Sequence, residues 1–301
     1  MPRPSSPATP DSSRNQPSLQ PPRAPLVAVA AAALLVLLKG AGAWITGSLA
    51  LGSAALDSLI DVFISAANYV VLRRSAAPPD ADHAYGHGKF ENLAALGQGL
   101  FLMTAAVSLV VAGVGRLSSG EAPRQTGLGA AVLVLSLLVS LGVARLLRRE
   151  ARRTESPALA ADSLHYQTDL WVNGAAVAAL VIVRWTGWAP ADPLVAMGVA
   201  VLVFRSGGAL VLESVGVLSD RALPAEELRR IEEVVASFAP DVVGLHDLKT
   251  RRGGGQRFIE LHLEIPRGKS FEEAHDLMVR VLRAIEDELP RSKVFVHGDP
   301  V

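Results

Sequence analysis

Residues Leu51 to Leu72 read LGSAALDSLIDVFISAANYVVL, an apolar run that nonetheless carries two aspartates, Asp57 and Asp61. A hydrocarbon core of ~30 Å takes about 20 helical residues, so the stretch spans a bilayer as a helix, and it ends on Arg73 and Arg74, which suit a membrane surface. Four residues apart, the two carboxylates share one helix face. Each charge at mid-bilayer costs ~2.5 to 3.5 kcal/mol on insertion scales. The helix is therefore expected to face a group that compensates that cost.

A second stretch, Leu164-His165-Tyr166-Gln167-Thr168-Asp169, repeats the spacing on another apolar run with His165 and Asp169. Unpaired, three intramembrane carboxylates would cost roughly 8 to 10 kcal/mol. Neither run carries Lys or Arg at matching depth. A divalent cation held by three carboxylate oxygens and one imidazole nitrogen would neutralise the site and complete a tetrahedral set. The blander alternatives are a neutralised hydrogen-bonded knot, or helix-end residues that lie outside the membrane.

The rest of the chain agrees with a membrane protein. Half of its 301 residues are hydrophobic and only 19% are charged, too apolar for an ordinary soluble domain. The formal net charge is zero, which gives no electrostatic field for nucleic acid. There is no cysteine, so metal and acid–base chemistry falls to Asp, Glu and seven His. No GxxxxGK[ST] phosphate loop occurs, and no nucleotide partner is expected.

Six apolar stretches read as spanning helices: Ala24 to Ile45, Leu51 to Leu72, Phe90 to Leu117, Leu128 to Leu147, Pro157 to Trp185 and Pro190 to Leu212. Residues 1–23, rich in Pro, Ser, Arg and Gln, read as a disordered tail, and the first apolar run, lacking a small-residue cleavage pattern, reads as a retained helix. Basic residues cluster after the second span (Arg73, Arg74, Lys89) and the fourth (Arg145, Arg148, Arg149, Arg152, Arg153). By the positive-inside rule both termini are cytoplasmic. Lys39, in the first span, is expected to snorkel to the outer interface.

From 219 to 301 the composition turns soluble, leaving 24–218 as the membrane domain. Helix Leu223–Phe238, strand Val242–Thr250, a glycine turn at Gly253-Gly254-Gly255, strand Arg257–Ile265, helix Ser270–Leu289 and strand Val294–His297 give the order αββαβ. This is expected to be an α+β module with an antiparallel sheet and both helices on one face. A core of this size needs help from dimerisation or metal. His246 and His262 are equidistant from Gly254, and in a regular hairpin they stand opposite one another, close enough to share an ion. Asp80, His83 and His87, in the loop after the second span, also have spacing that one ion can use.

The runs Leu56-Asp57-Ser58-Leu59-Ile60-Asp61, His83-Ala84-Tyr85-Gly86-His87-Gly88-Lys89 and Leu164 to Asp169 together resemble the cation diffusion facilitator family, in its bacterial ferrous-iron and zinc efflux branch. The similarity runs from the first span to Pro300. It implies an all-α six-helix transmembrane bundle followed by a ferredoxin-like, metallochaperone-like α+β cytoplasmic domain. It also implies a homodimer in the cell inner membrane, acting as a proton-coupled antiporter that exports Zn²⁺ and Fe²⁺ by alternating access, with Cd²⁺ and Co²⁺ as further candidates. Asp57, Asp61, His165 and Asp169 match the family's transport site, and Asp80, His83 and His87 a loop metal site. His246, His262, His275, His297 and Asp299 match a cytoplasmic metal site where Zn²⁺ or Fe²⁺ would have a structural or regulatory role. Lys89 and Asp220 match a pair that interlocks the dimer's membrane helices.

Two other functional classes make different demands. An intramembrane metallohydrolase needs a helix-borne HExxH or a base beside an open metal position, and no Glu stands near His165 or Asp57 in sequence. A metal-sensing receptor would use the soluble domain as its output. Metal flux in sealed vesicles separates a transporter from both.

Overall fold

The structure, a computed structural model, describes residues 23–46, 49–119, 127–188 and 190–301. Among them are six long helices, α1 (Arg23–Thr46), α2 (Leu49–Ser75), α3 (Lys89–Ser119), α4 (Gly127–Thr154), α5 (Pro157–Thr186) and α6 (Ala191–Leu218). The expected tail lies outside the described residues except for Arg23, which already belongs to α1. All but α4 qualify by length and composition as membrane spans. Side chains at the start of α4 lie outside the described set, and its described part packs Val143, Ala144 and Leu147 against α1 and α5. The bundle turns Leu37, Trp44, Phe63, Val111, Trp185 and Leu212 outward, as expected of helices bathed in lipid.

Local chemistry sets the ends of α5. Ser156 caps it by accepting the Leu159 N–H, Pro157 fills the first turn, and Gly187, at φ 70°, closes it in the left-handed conformation that glycine adopts without a steric penalty. The α3–α6 crossing depends on absent side chains. A Cβ on Gly99 would lie 2.9 Å from the Gly207 carbonyl oxygen, and one on Gly207 would lie 2.8 Å from that of Gly99. Small residues at such a crossing let helix backbones approach in a solvent that offers no hydrophobic drive between helices.

The soluble part comprises α7 (Ala225–Ala236), β1 (Gly244–Gly253), β2 (Gln256–Ile265), α8 (Phe271–Glu288) and β3 (Ser292–Pro300). A capping box between Ser270 and Glu273 starts α8. Alternate β2 residues Ile259, Leu261 and Leu263 meet Ile231 and Val235 of α7 and Leu277, Val281 and Ile285 of α8 in one buried cluster. With a side-chain period of two, His262 and Glu264 fall on the opposite face of the sheet.

The sheet order is β1-β2-β3, and it is mixed. β1 and β2 are antiparallel, but β2 and β3 are parallel. This corrects the antiparallel expectation. The chain between β2 and β3 passes through α8, which carries it back to the end from which β2 started, so β3 must run alongside β2.

The β1–β2 tip docks beneath the bundle. Gly254 sits at φ 62° and donates its N–H to Asn92 Oδ1 at 3.1 Å; a Cβ there would lie 2.8 Å from the Gly88 carbonyl oxygen. Arg257, nearly buried, reaches Glu227 at 3.1 Å and Glu155, at the α4–α5 turn, at 2.9 Å. Burial works to raise the Glu227 carboxyl, but the hydrogen bond from Arg257 and the charges of Arg252 and Arg257 hold it below its usual range.

Candidate metal centre

Helices α2 and α5 bring Asp61, His165 and Asp169 together, with one ligand atom from each within 4.8 Å of the others. His165 Nε2 lies 2.9 Å from Asp61 Oδ1, and Phe101 meets the imidazole edge-on at 6.0 Å between ring centroids. His165 is buried. The antiparallel run of α2 and α5 sets the two i,i+4 pairs at one depth. Asp57 is exposed and stands outside the converging trio, one turn outward, in electrostatic range of Asp61 and Lys39.

Lys39 does not snorkel. Its amine donates to Ser58 Oγ at 2.7 Å, and Ser58, next to Asp57 on α2, is fully buried. A cation therefore does stand near the carboxylates, supplied by α1 and so invisible in a search of the two spans that carry the acidic and histidine pairs.

One turn further along, toward the cytoplasmic end, lies a polar cluster that the motif reading passed over. Ser65 Oγ contacts Tyr166 OH at 3.2 Å and Asp162 Oδ1 at 3.5 Å, and Tyr166 OH donates to the Ala28 carbonyl at 3.3 Å. Ser65, Asn68, Asp162 and Tyr166 are all buried. The cluster ties α1, α2 and α5 together. The signal was available in the sequence: Asp162 stands one turn before His165 and Tyr166, and an ionisable residue in a span invites a functional reading.

In the loop between α2 and α3, Asp80 bridges both histidines, with Oδ1 3.2 Å from His83 Nδ1 and Oδ2 3.2 Å from His87 Nε2. The two rings lie 4.5 Å apart, and His87 is buried against Phe90. The His83 backbone N–H donates to Asp80 and holds its carboxyl below the usual range, so the loop presents an anion. A pocket of about 280 Å³ opens between His83, His87 and Phe90 on one side and Arg251 and Phe258 of the soluble domain on the other.

On the sheet face away from the helices, pairing places His246 opposite His262 and His262 opposite His297. The three rings form a row with centroids 5.2 and 4.7 Å apart. Asp299 lies within 3.1 Å of His246, 2.9 Å of His262 and 3.3 Å of His297. Its carboxyl is held low, first by the hydrogen bond with His262. Glu264, 3.4 Å from His246, is a neighbour that the period-two pattern from His262 could have revealed. His275 is exposed on α8 beside Phe271 and is not among the converging groups.

The histidine pair exists for a reason other than the expected one. The hairpin is not regular about Gly254, because the tip pairs Gly253 with Gln256. Continued without a break, that register would set His246 opposite Leu263, a core residue. A bulge intervenes: Asp247 and Leu248 together oppose Leu261, with Asp247 at φ 49°. The extra residue returns His246 to the face of His262.

Lys89 Nζ and Asp220 Oδ1 pair at 2.8 Å within one chain, joining the start of α3 to the end of α6, and Arg251 adds a second contact to Asp220 at 3.4 Å. The Lys89 hydrogen bond is the main cause of the lowered Asp220 carboxyl.

A helical bundle with an acid–histidine cluster between two spans, carrying a small α+β domain on its cytoplasmic side, defines a membrane transporter of cations. The chain belongs to the cation diffusion facilitator family: residues 26–219 match the cation efflux transmembrane domain and residues 223–301 the cation efflux cytoplasmic domain. It is 41% identical over 278 residues, 92% of each chain, to the cation-efflux pump FieF of Escherichia coli O127:H6, and 40% identical over the same span to FieF of E. coli K12 / DH10B. Among solved structures, one of the zinc-transporter candidate CzrB aligns at 35% identity and a TM-score of 0.26, covering 26% of this chain and 98% of that one. The metal-bound C-terminal domain of the CzcD transporter from Thermotoga maritima aligns at 28% identity and a TM-score of 0.24, covering 26% and 94%. The protein is thus a multi-pass cation-efflux transporter with a cytoplasmic C-terminal domain, and not an enzyme.

Proposed function

We propose that the protein is a homodimeric antiporter of the cell inner membrane, with both termini cytoplasmic, that exports Zn²⁺ and Fe²⁺, and also Cd²⁺ or Co²⁺, in exchange for protons. Asp57, Asp61, His165 and Asp169 bind the transported ion. The observation that carries this reading is the convergence of Asp61, His165 and Asp169 from two spans, a placement whose cost in lipid a divalent cation offsets. Asp57 completes the set by turning in from its exposed position. Metal and proton compete for the same lone pairs, so each ion released outward leaves ligands that take up protons. Moving one charge through 100 mV is worth ~2.3 kcal/mol, which lets proton entry drive export without a nucleotide.

The loop ligands Asp80, His83 and His87 lie at the cytoplasmic end and serve as a capture point. His246, His262, His297 and Asp299 bind a regulatory or structural ion in the soluble domain, with His275 available from the exposed face of α8. Lys89 and Asp220 hold the membrane helices together above that domain.

Proteoliposomes loaded with a metal-sensitive dye and offered Zn²⁺, Fe²⁺, Cd²⁺, Co²⁺ and Mn²⁺ under an imposed pH gradient test the transport reading. Saturable flux that accelerates with a proton gradient opposed to metal movement is expected; flux indifferent to the gradient would remove the proton from the mechanism.

The soluble domain carries its own core, so its metal site can be tested separately. At a Zn²⁺ concentration about 100 times Kd, mass action stabilises the folded form by about 2.7 kcal/mol and raises Tm by roughly 10 to 20 °C for a domain of this size. The double substitution His246→Ala, His262→Ala should abolish that gain. Equal melting temperatures with and without Zn²⁺ in the parent domain would overturn the assignment.

A further inference from the structure

We propose that Lys39 is the fixed counter-charge of the transport site, a positioning and specificity-determining residue whose ammonium balances the negative charge that a bound divalent cation leaves on the ligand carboxylates. The inference rests on the transport-site reading above and deepens it.

When ionised, the three carboxylates of the proposed ligand set, Asp57, Asp61 and Asp169, bring three negative charges to the site; buried Asp162 lies outside that set. A divalent ion alone leaves one of them unbalanced, in a medium where net charge is strongly disfavoured. Lys39 cancels it. The placement follows from contacts: the Lys39 amine donates to Ser58 Oγ at 2.7 Å, Ser58 is 0% exposed, and it adjoins Asp57 in the chain. The charge also acts on Asp169, across the site on α5. A lysine in the outer half of a span is free to reach the headgroups, and this one is turned inward instead. With the ammonium in place, a monovalent ion leaves the site negative and a trivalent ion leaves it positive. The same ammonium repels the bound cation, so it weakens binding and speeds release. Both effects need a charge at this position and neither needs a ligand bond.

The test uses the full-length protein in proteoliposomes, with Zn²⁺ flux resolved into KM and kcat. Lys39→Gln keeps a polar group for Ser58 and removes the charge. It should lower KM for Zn²⁺ by about tenfold, the effect of withdrawing one nearby like charge in a partly screened site, and lower kcat because the ion leaves slowly. Lys39→Met, which removes charge and hydrogen bond together, should behave like Lys39→Gln, whereas Lys39→Arg should keep KM and kcat near the parent values. Parent-like kinetics in Lys39→Gln, or equal damage in Lys39→Gln and Lys39→Arg, would overturn the proposal, the second by pointing to a packing role. If Lys39→Met fails to insert, the Gln and Arg pair still decides. Asp169→Ala in the same preparation separates the two levels. Flux in Asp169→Ala at the parent rate removes the transport site and Lys39's role with it; a silent Asp169→Ala beside a parent-like Lys39→Gln removes the counter-charge alone.

Discussion

Replacing Asp61 or Asp169 by alanine is expected to reduce metal flux to the background of protein-free vesicles while leaving an inserted, folded protein. These side chains contribute little to the buried apolar clusters, so their loss opens no large cavity. What is lost is one carboxylate from the group of three proposed to hold the ion. Substitutions that merely disturb the surroundings of a metal ligand cost 10- to 100-fold in affinity, and removing a ligand should cost at least about 100-fold. Folding is checked by elution as a single species from size exclusion, and transport by dye quenching in sealed vesicles. Parent-rate flux in either variant would remove the trio as the transport site. Asp57→Ala probes a different point, because Asp57 stands outside the trio. Complete loss there would mean that it turns in to bind the ion, and a partial loss that it acts by charge alone.

The second large effect concerns His165. Its exchange for Asp leaves an all-carboxylate set, and oxygen ligands in place of imidazole favour harder ions. The ratio of Zn²⁺ to Mn²⁺ transport should fall by about tenfold or more. The pH dependence of metal binding should move to lower values, since ordinary carboxylates release protons ~2 pH units below an ordinary imidazole. Competition binding of Zn²⁺ and Mn²⁺ across a pH series measures both. Were metal preference and pH profile both unchanged, His165 would be neither ligand nor proton exchanger, and the coupling mechanism would need another group.

The convergence of Asp61, His165 and Asp169 was legible in the sequence because lipid penalises polar groups heavily: an i,i+4 pair of ionisable residues in an apolar run has few explanations. Lys39 was misplaced for the complementary reason. A lysine near a helix end has two low-cost directions, and only the packing of α1 on α2 shows that Ser58 is within reach. Asp162 stands outside the Leu164–Asp169 motif, one turn before Tyr166 on the same helix, and its α2 partners Ser65 and Asn68 become visible only with α2 and α5 paired. In the soluble domain the order αββαβ was legible from periodicity and turn residues. The direction of β3 was not, because strand patterning is the same for both directions and only the α8 connection decides between them. His297 and Asp299 could be matched to a motif, yet their alignment beside His262 follows from that parallel pairing.

The bulge at Asp247 gives the hairpin something akin to a phase. Between His246 and the tip, β1 carries one more residue than β2 carries between the tip and His262, and the two histidines share a face only because of that surplus. A strand turns successive side chains to opposite sides, so insertion or deletion of a single residue within β1 would rotate His246 toward the apolar core unless a second change of odd length restored the count. Changes confined to Gly254 and Gly255 would leave the histidines paired but meet another limit, since that tip is seated against Gly88 and Asn92. Across descendants of this chain, length variation should therefore be scarce along the whole hairpin.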